Sequence, residues 1–158
     1  MKTILFVYGS GGHREQSKRL LKNNNRPNQI IEMTETGVTP ILSTEKAYFI
    51  PEMNSKYYGP LLSFPRTFFV SFYQGLITLI ILIRHKPNKI VSTGPLIGAV
   101  PLLIGRIFKK DTIFIESWSR FSDSSKTGKF AKRFVRTVLY QNKEMASKYP
   151  NGKYSGRL

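Results

Sequence analysis

Thr3-Ile4-Leu5-Phe6-Val7-Tyr8-Gly9-Ser10-Gly11-Gly12-His13 is the stretch whose reading decides the fold. Ile4 to Val7 is an unbroken apolar run, the pattern of a strand covered on both faces rather than one. Three glycines in four positions then predict a tight turn. A helix should start near His13 and run to about Asn24, anchored by Leu20 and Leu21, with Arg14, Lys18 and Lys22 on its wet side. Asn23-Asn24-Asn25-Arg26-Pro27 supplies the stop. The same run is too short for a secretory core, and its glycines are not a small-residue cleavage motif, so it is read as structure rather than as a signal peptide.

Working outward, the unit recurs. Residues 29–33 and 47–50 read as short strands, separated by a polar segment with Gly37 and Pro40. Pro65 is placed to open a helix running to Arg84. Residues 89–92 form another strand candidate that ends on Thr93-Gly94-Pro95. A helix is expected around 98–108 despite Pro101, then a strand at 112–115 leading to Glu116-Ser117. A basic helix from Lys126 to Phe134 and an apolar run at 135–140 precede a polar tail. Strands alternating with helices at this spacing predict an open, mostly parallel α/β sheet with helices on both faces. At 158 residues the chain is read as one domain, 1–158, whose last part, 136–158, holds the final strand candidate and the tail.

Charge narrows the function. Lys and Arg number 25 against nine Asp and Glu, a formal +16. Residues 1–79 carry nine bases and five acids, net +4; residues 80–158 carry sixteen and four, net +12. Such an excess predicts an anionic partner: a membrane surface, a phosphorylated substrate, nucleic acid or an acidic protein. Without cysteine there is no disulfide, thiolate nucleophile or Cys-based zinc site, and two histidines with scattered acids give no expected metal centre.

Between Arg66 and Arg84 lie seventeen residues without a charge. They cover roughly 25 Å as a helix, short of the roughly 30 Å hydrocarbon layer. Ser71, Gln74 and Thr78 form a narrow polar stripe at i, i+3, i+7 on an otherwise apolar cylinder. One sheet face needs less apolar perimeter than this. Three readings stay open: a helix packed against the sheet, one that spans a membrane with Arg66 and Arg84 snorkelling to its surfaces, and one whose surplus apolar face, Phe68, Phe69, Phe72, Leu76, Ile80 and Ile83, meets a membrane interface or a partner.

Three loops carry candidate chemistry. The amides of Gly9, Ser10, Gly11 and Gly12, at a helix mouth, suit phosphate or pyrophosphate. The dinucleotide fingerprint is incomplete, because Gly9 and Gly11 are followed by Arg14 at its third glycine position; Glu32 lies near the distance of a ribose-binding acid. No Gly-Lys-Ser/Thr follows, so this is not a P-loop. His13 sits where a neutral imidazole can take a proton from a hydroxyl or donate to phosphate. Ser92-Thr93-Gly94-Pro95 and Glu116-Ser117-Trp118-Ser119-Arg120 end later strands, where ligand sites gather in a parallel sheet. Glu116 reads as a ligand of sugar hydroxyls, a base or an acid that orients one, or else as a partner of Arg120 or a helix cap; Arg120 as a phosphate or carboxylate clamp. Trp118 reads as a closure of the core. His85, between Arg84 and Lys86, reads as a solvated helix end.

The ordered set Gly9-Ser10-Gly11-Gly12-His13, Ser92-Thr93-Gly94-Pro95, Ile115-Glu116-Ser117-Trp118-Ser119-Arg120, Thr127-Gly128-Lys129, Val138-Leu139-Tyr140-Gln141 and the end, Tyr149-Pro150 to Tyr154-Ser155-Gly156-Arg157-Leu158, resembles the Alg14/PssD family over nearly the whole chain. The resemblance implies a Rossmann-like domain equivalent to the N-terminal half of a GT-B glycosyltransferase. It also implies the membrane-associated, acceptor-side subunit of a two-component enzyme that builds glycans on lipid carriers. A separate Alg13/PssE-like subunit would bind the nucleotide-sugar, so no cofactor is expected on this chain. The acceptor would be a polyprenyl-diphosphate-linked glycan, and the setting an anionic membrane surface on the cytoplasmic face. Tyr154, Gly156, Arg157 and Leu158 would help hold the partner. Many relatives carry an N-terminal transmembrane anchor; here internal helices or the partner are expected to supply membrane contact. Relatives are acidic three positions after the loop histidine, where this chain has Gln16, with Glu15 displaced by one; Asn142 follows Gln141 where a Trp is usual.

The implied chemistry is inverting sugar transfer, with His13 or Glu116 as base or acceptor-orienting group. Gly9 to Gly12, Thr93, Gly94, Ser117 and Arg120 would hold phosphate or acceptor. A non-catalytic scaffold that enhances a partner transferase is the first competing reading. A nucleic-acid-binding protein is the second; no nucleic acid is expected, because it leaves the apolar helix and the glycine loops unexplained.

Overall fold

The computed structural model describes residues 2–22, 29–42, 46–52 and 60–156. Seven strands form one sheet: β1 (Thr3–Val7), β2 (Gln29–Glu35), β3 (Ala47–Ile50), β4 (Lys89–Ser92), β5 (Asp111–Ile115), β6 (Thr137–Tyr140) and β7 (Lys153–Tyr154). Their order is β3-β2-β1-β4-β5-β6-β7 and every pairing is parallel. The helices are α1 (Gly12–Lys22), α2 (Pro60–His85), α3 (Ala99–Ile107) and α4 (Lys126–Ala131). From β1 the chain steps outward through β2 to β3, then returns across the sheet to β4 on the other side of β1. The strand order therefore reverses between β1 and β4, the place where open α/β sheets bind ligands beyond their carboxyl ends.

Alternation along β1 divides two cores. Leu5 and Val7 join Ile31, Met33, Ile90, Phe114 and Val138 beneath α2, α3 and α4. Phe6 and Tyr8 face the other way, with Leu21 of α1, Val91 and Ile115. Right-handed crossovers explain the split: the step toward β2 puts α1 on one face, and the steps toward β4, β5 and β6 put the other helices opposite.

Boundaries depart from expectation in instructive places. The proposed stop of α1 at residues 23–27 lies outside the described residues. Pro65 does not open α2 but sits inside it, the helix starting at Pro60. α4 stops at Ala131 rather than Phe134. The tail is not merely polar: Lys153 and Tyr154 pair with Leu139 and Tyr140 as a seventh strand.

α2 exposes the six apolar residues expected on its outer face. Its polar stripe faces inward: Gln74 and Thr78 are fully buried beside Val70, Ile81 and Leu82. Gln74 Nε2 donates to Ile97 O and to Met33 Sδ, and Thr78 Oγ1 donates to Gln74 O. Six apolar residues face outward, with Phe68 64%, Phe69 68%, Phe72 63% and Ile83 75% exposed, and Leu76 and Ile80 exposed too. This reverses the amphipathicity of an ordinary surface helix. Residues 65–85 are long and apolar enough to cross a membrane by length and composition, with 28% of the most apolar window buried against the protein. Leu96, Leu103, Ile107 and Phe108 add exposed apolar surface from α3 and its approach, α3 being packed beside α2.

At the far end of α2, Tyr48 Oη and His85 Nε2 lie 2.8 Å apart, so His85 is not the solvated helix end first read. Burial, then the Arg84 and Lys46 charges, lowers the His85 pKa below its ordinary 6.5. The unfolded chain thus binds this proton more readily. His85's contribution to stability is complete above pH 6.5 and is lost as pH falls toward the lowered value. Thermal melts of His85→Gln should therefore lose stability less steeply than wild type between pH 7 and pH 5.

Candidate active site

The three loops meet at the carboxyl end of the sheet, around the β1/β4 switch. His13, on the first turn of α1, places Nδ1 2.7 Å from Thr93 O at the end of β4. A carbonyl only accepts, so Nδ1 carries the hydrogen. In the neutral imidazole Nε2 is then the acceptor nitrogen, and it has no hydrogen-bond partner among the described residues. Gly94 lies under the ring at φ +117°, where a Cβ would sit 2.9 Å from His13 Cε1. Only glycine combines that backbone conformation with that approach.

The glycine loop is open to solvent at Ser10, Gly11 and Gly12, while Gly9 is buried. The Ser10 N–H already donates to Glu35 Oε2 at 3.0 Å. The amides left for an anion are those nearer the helix mouth.

Thr93 does not present its hydroxyl to a ligand. It is fully buried, with Oγ1 2.8 Å from Ser17 Oγ, and its role is to tie β4 to α1 and hold His13 through its carbonyl.

Glu116 is held on both of its carboxylate oxygens. It is 1% exposed. Oε1 accepts from Ser117 N at 2.9 Å; Oε2 accepts from Ser125 N at 2.9 Å, from Ser125 Oγ at 3.1 Å and from Tyr149 Oη. A carboxylate with both oxygens so occupied is a positioning group: it joins the end of β5 to the start of α4 and to Tyr149. It makes no ion pair with Arg120, which is exposed on the turn that follows.

The residues that hold this turn were not assigned that part from sequence. Gln16, fully buried, donates Nε2 to Glu116 O at 3.1 Å, and its Oε1 lies 3.5 Å from Trp118 N. Gln141 Nε2 donates to Glu116 O at 3.2 Å. Asn142 Nδ2 donates to Trp118 O and Arg120 O. The two positions that depart from the family pattern are thus amide clamps on residues 116–120. Trp118 does not close the core: it is partly exposed under the Arg19 guanidinium, 4.6 Å from the ring centre, and Arg19 pairs with Glu15. Ser117 Oγ is engaged locally with Ser119 Oγ at 2.9 Å.

A second buried pair mirrors the first. Tyr8 Oη donates to Glu32, whose carboxylate accepts from Ile41 N and Leu42 N, so Glu32 ties down a loop rather than facing a ribose. Burial, then the hydrogen bond and charge of the paired carboxylate, raises the pKa of both Tyr8 and Tyr149 well above the usual phenol value of 10.0. Both pairs add stability that is complete below pH 10 and is lost as pH rises through the raised values. Among eight tyrosines, Tyr8 and Tyr149 should resist ionisation in a phenolate absorbance titration until the chain unfolds. Tyr149→Phe should remove one resistant group.

Of the tail residues, Tyr154 is exposed on the edge strand and packs beside Tyr140, and Gly156 follows at φ +77°. Arg157 and Leu158 lie outside the described residues.

The family model "Oligosaccharide biosynthesis protein Alg14 like" matches residues 4–158. The chain belongs to the Alg14 family. Similar proteins include the "UDP-N-acetylglucosamine transferase subunit ALG14" of Homo sapiens, 29% identical over 99% of this chain and 82% of that one. The corresponding subunit of Schizosaccharomyces pombe is 24% identical over 98% and 82%. Among solved structures, MurG of Acinetobacter baumannii superposes with TM-score 0.63 at 12% identity, over 99% of this chain and 44% of that one. The S. aureus MnaA–UDP structure superposes with TM-score 0.67 at 17% identity, over 98% and 42%. The chain spans less than half the length of these structures, and at such identities the likeness concerns fold alone. It is the Rossmann-like class anticipated for half of a GT-B enzyme.

Proposed function

We propose that this chain is the acceptor-side subunit of a two-chain, nucleotide-sugar-dependent glycosyltransferase. It works on the cytoplasmic face of a membrane on a polyprenyl-diphosphate-linked glycan. The observation that carries the reading is the hydrogen bond between His13 Nδ1 and Thr93 O at the strand-order switch, which leaves Nε2 without a partner among the described residues, in a chain whose relatives are named as transferase subunits.

The relatives' names point to UDP-N-acetylglucosamine as the donor to test first, held mainly by an Alg13/PssE-like partner seated on the same rim. His13 Nε2 takes the proton of the acceptor hydroxyl. The freed oxygen pair forms the new bond to the anomeric carbon, and the bond to the nucleoside diphosphate breaks on the opposite side, inverting that carbon. The amides of Gly11, Gly12 and His13 receive the acceptor's diphosphate, and Arg120 compensates charge at the open side of the rim. Glu116 acts through the loop it holds. The polyprenyl chain follows the exposed flank of α2. Covering residues such as Phe68, Phe69 and Ile83 stabilises the membrane-bound state by roughly 1.5–3 kcal/mol per fully buried side chain.

Two measurements test the reading. Photo-crosslinking residues placed singly at Ser10, Ser119 and Tyr154 should capture a donor-binding chain, whereas one at Lys109 should not; capture from Lys109 alone would contradict the docking side. In vesicle flotation, Phe69→Ser/Ile83→Ser should release most of the protein from the membrane without lowering its Tm. Unchanged flotation would remove the role given to α2.

A further inference from the structure

The end of the sheet opposite the rim carries a second opening that the transfer reaction does not use. A cavity of about 440 Å³ lies at the foot of α4, where the chain enters β6 and β7. Lys132, Arg133 and Arg136 line it, with Val135, Val138 and Tyr149 among its other walls, and no Asp or Glu contributes. Lys132 Nζ gives one hydrogen bond to Lys148 O at 3.2 Å, leaving two of its three donors. Lys148 in turn pairs with Asp123 at 3.8 Å. None of the three lining cations has an ion-pair partner among the described residues.

We propose that this cavity binds a phosphate ester. Two guanidiniums offer planar forks that match phosphate oxygens bidentately, and an ammonium adds a third cation. Val135 and Pro150, both accessible and both lining the cavity, give an organic substituent an apolar surface, which bare phosphate would leave unused. The volume falls within the range of small-molecule sites, roughly 300–1,000 Å³. Repulsion among three unpaired cations would be relieved by a bound dianion. The ester can come from a phospholipid headgroup or from a soluble metabolite, and both present the same group. The site depends on its own residues, not on the glycosyltransferase reading.

Calorimetric titration of the full chain in detergent with sn-glycerol 3-phosphate and with inorganic phosphate is the first test. The ester should bind more tightly than inorganic phosphate. Lys132→Gln/Arg133→Gln/Arg136→Gln should weaken it roughly tenfold or more. Lys2→Gln/Lys18→Gln/Lys22→Gln removes the same charge elsewhere and should change affinity by less than about twofold, because screened charges beyond a Debye length of about 10 Å contribute little. Equal weakening by both triples, or no preference for the ester, overturns the proposal. Should the cavity triple not fold, acetylation of wild type decides: glycerol 3-phosphate should protect Lys132 and not Lys18, and equal labelling overturns the site. Flotation on phosphatidylcholine vesicles with and without phosphatidic acid separates the sources. A loss confined to phosphatidic acid vesicles in the cavity triple supports a lipid headgroup. Unchanged flotation with lost binding of the soluble ester supports a free phosphate ester. Phe69→Ser/Ile83→Ser should leave the calorimetric result intact, so failure of the membrane reading is distinguishable from failure of this one.

Discussion

His13→Ala, assayed with a donor-binding partner on acceptor-loaded vesicles, is expected to lower sugar transfer by roughly 10²–10⁴-fold, the usual contribution of a positioned general base. The fold should survive. The side chain is only partly buried, and its loss leaves one carbonyl, Thr93 O, without its donor, at a cost of about 1 kcal/mol. The decrease should fall on the chemical step, with acceptor binding little changed, because the anion-facing amides belong to the backbone. Gly94→Ala should mimic it while keeping the imidazole, since the added Cβ would sit 2.9 Å from His13 Cε1 and displace the ring. Transfer that persists at wild-type rate in either variant, with folding intact, would remove His13 from the chemistry.

Glu116→Ala should behave in the opposite way. Removing the carboxylate strips the acceptor from Ser117 N, Ser125 N and Tyr149 Oη at once. Buried donors left unpaired cost about 1–3 kcal/mol each. A total of about 3–5 kcal/mol is expected, seen as a fall in Tm of roughly 10 °C or more. Tyr149→Phe combined with Glu116→Ala should cost less than the two separate losses, because they share one bond. A direct catalytic role for Glu116 would instead give a stable, inactive protein. Thermal denaturation beside the transfer assay separates the two outcomes.

These contrasting roles mark where sequence was legible. The run from Ile4 to Val7 followed by glycines specified a buried strand, a tight turn and a helix, because each feature is local and continuous. The meeting of the loops followed from parallel topology alone. Glu116 was rightly placed at the rim, but its role turns on Tyr149, 33 residues later, and no local pattern joins those two. Gln16 and Asn142 looked like departures from the family pattern. They are short amides that satisfy loop carbonyls, a role visible only once α1, β5 and β6 are side by side. The stripe Ser71, Gln74 and Thr78 fixed a polar face on α2 but not its direction. Periodicity is the same whether the stripe meets water or the protein, and the acceptor that Ile97 O offers Gln74 is visible only in the folded chain. β7 escaped notice because two exposed residues carry no alternation to read.

The most direct measurement of the central claim is transfer from radiolabelled UDP-N-acetylglucosamine to a polyprenyl-diphosphate-linked acceptor in vesicles, with this chain, its donor-binding partner, or both. The account predicts labelled lipid only when both chains are present. Labelled product at a comparable rate from this chain alone would contradict it.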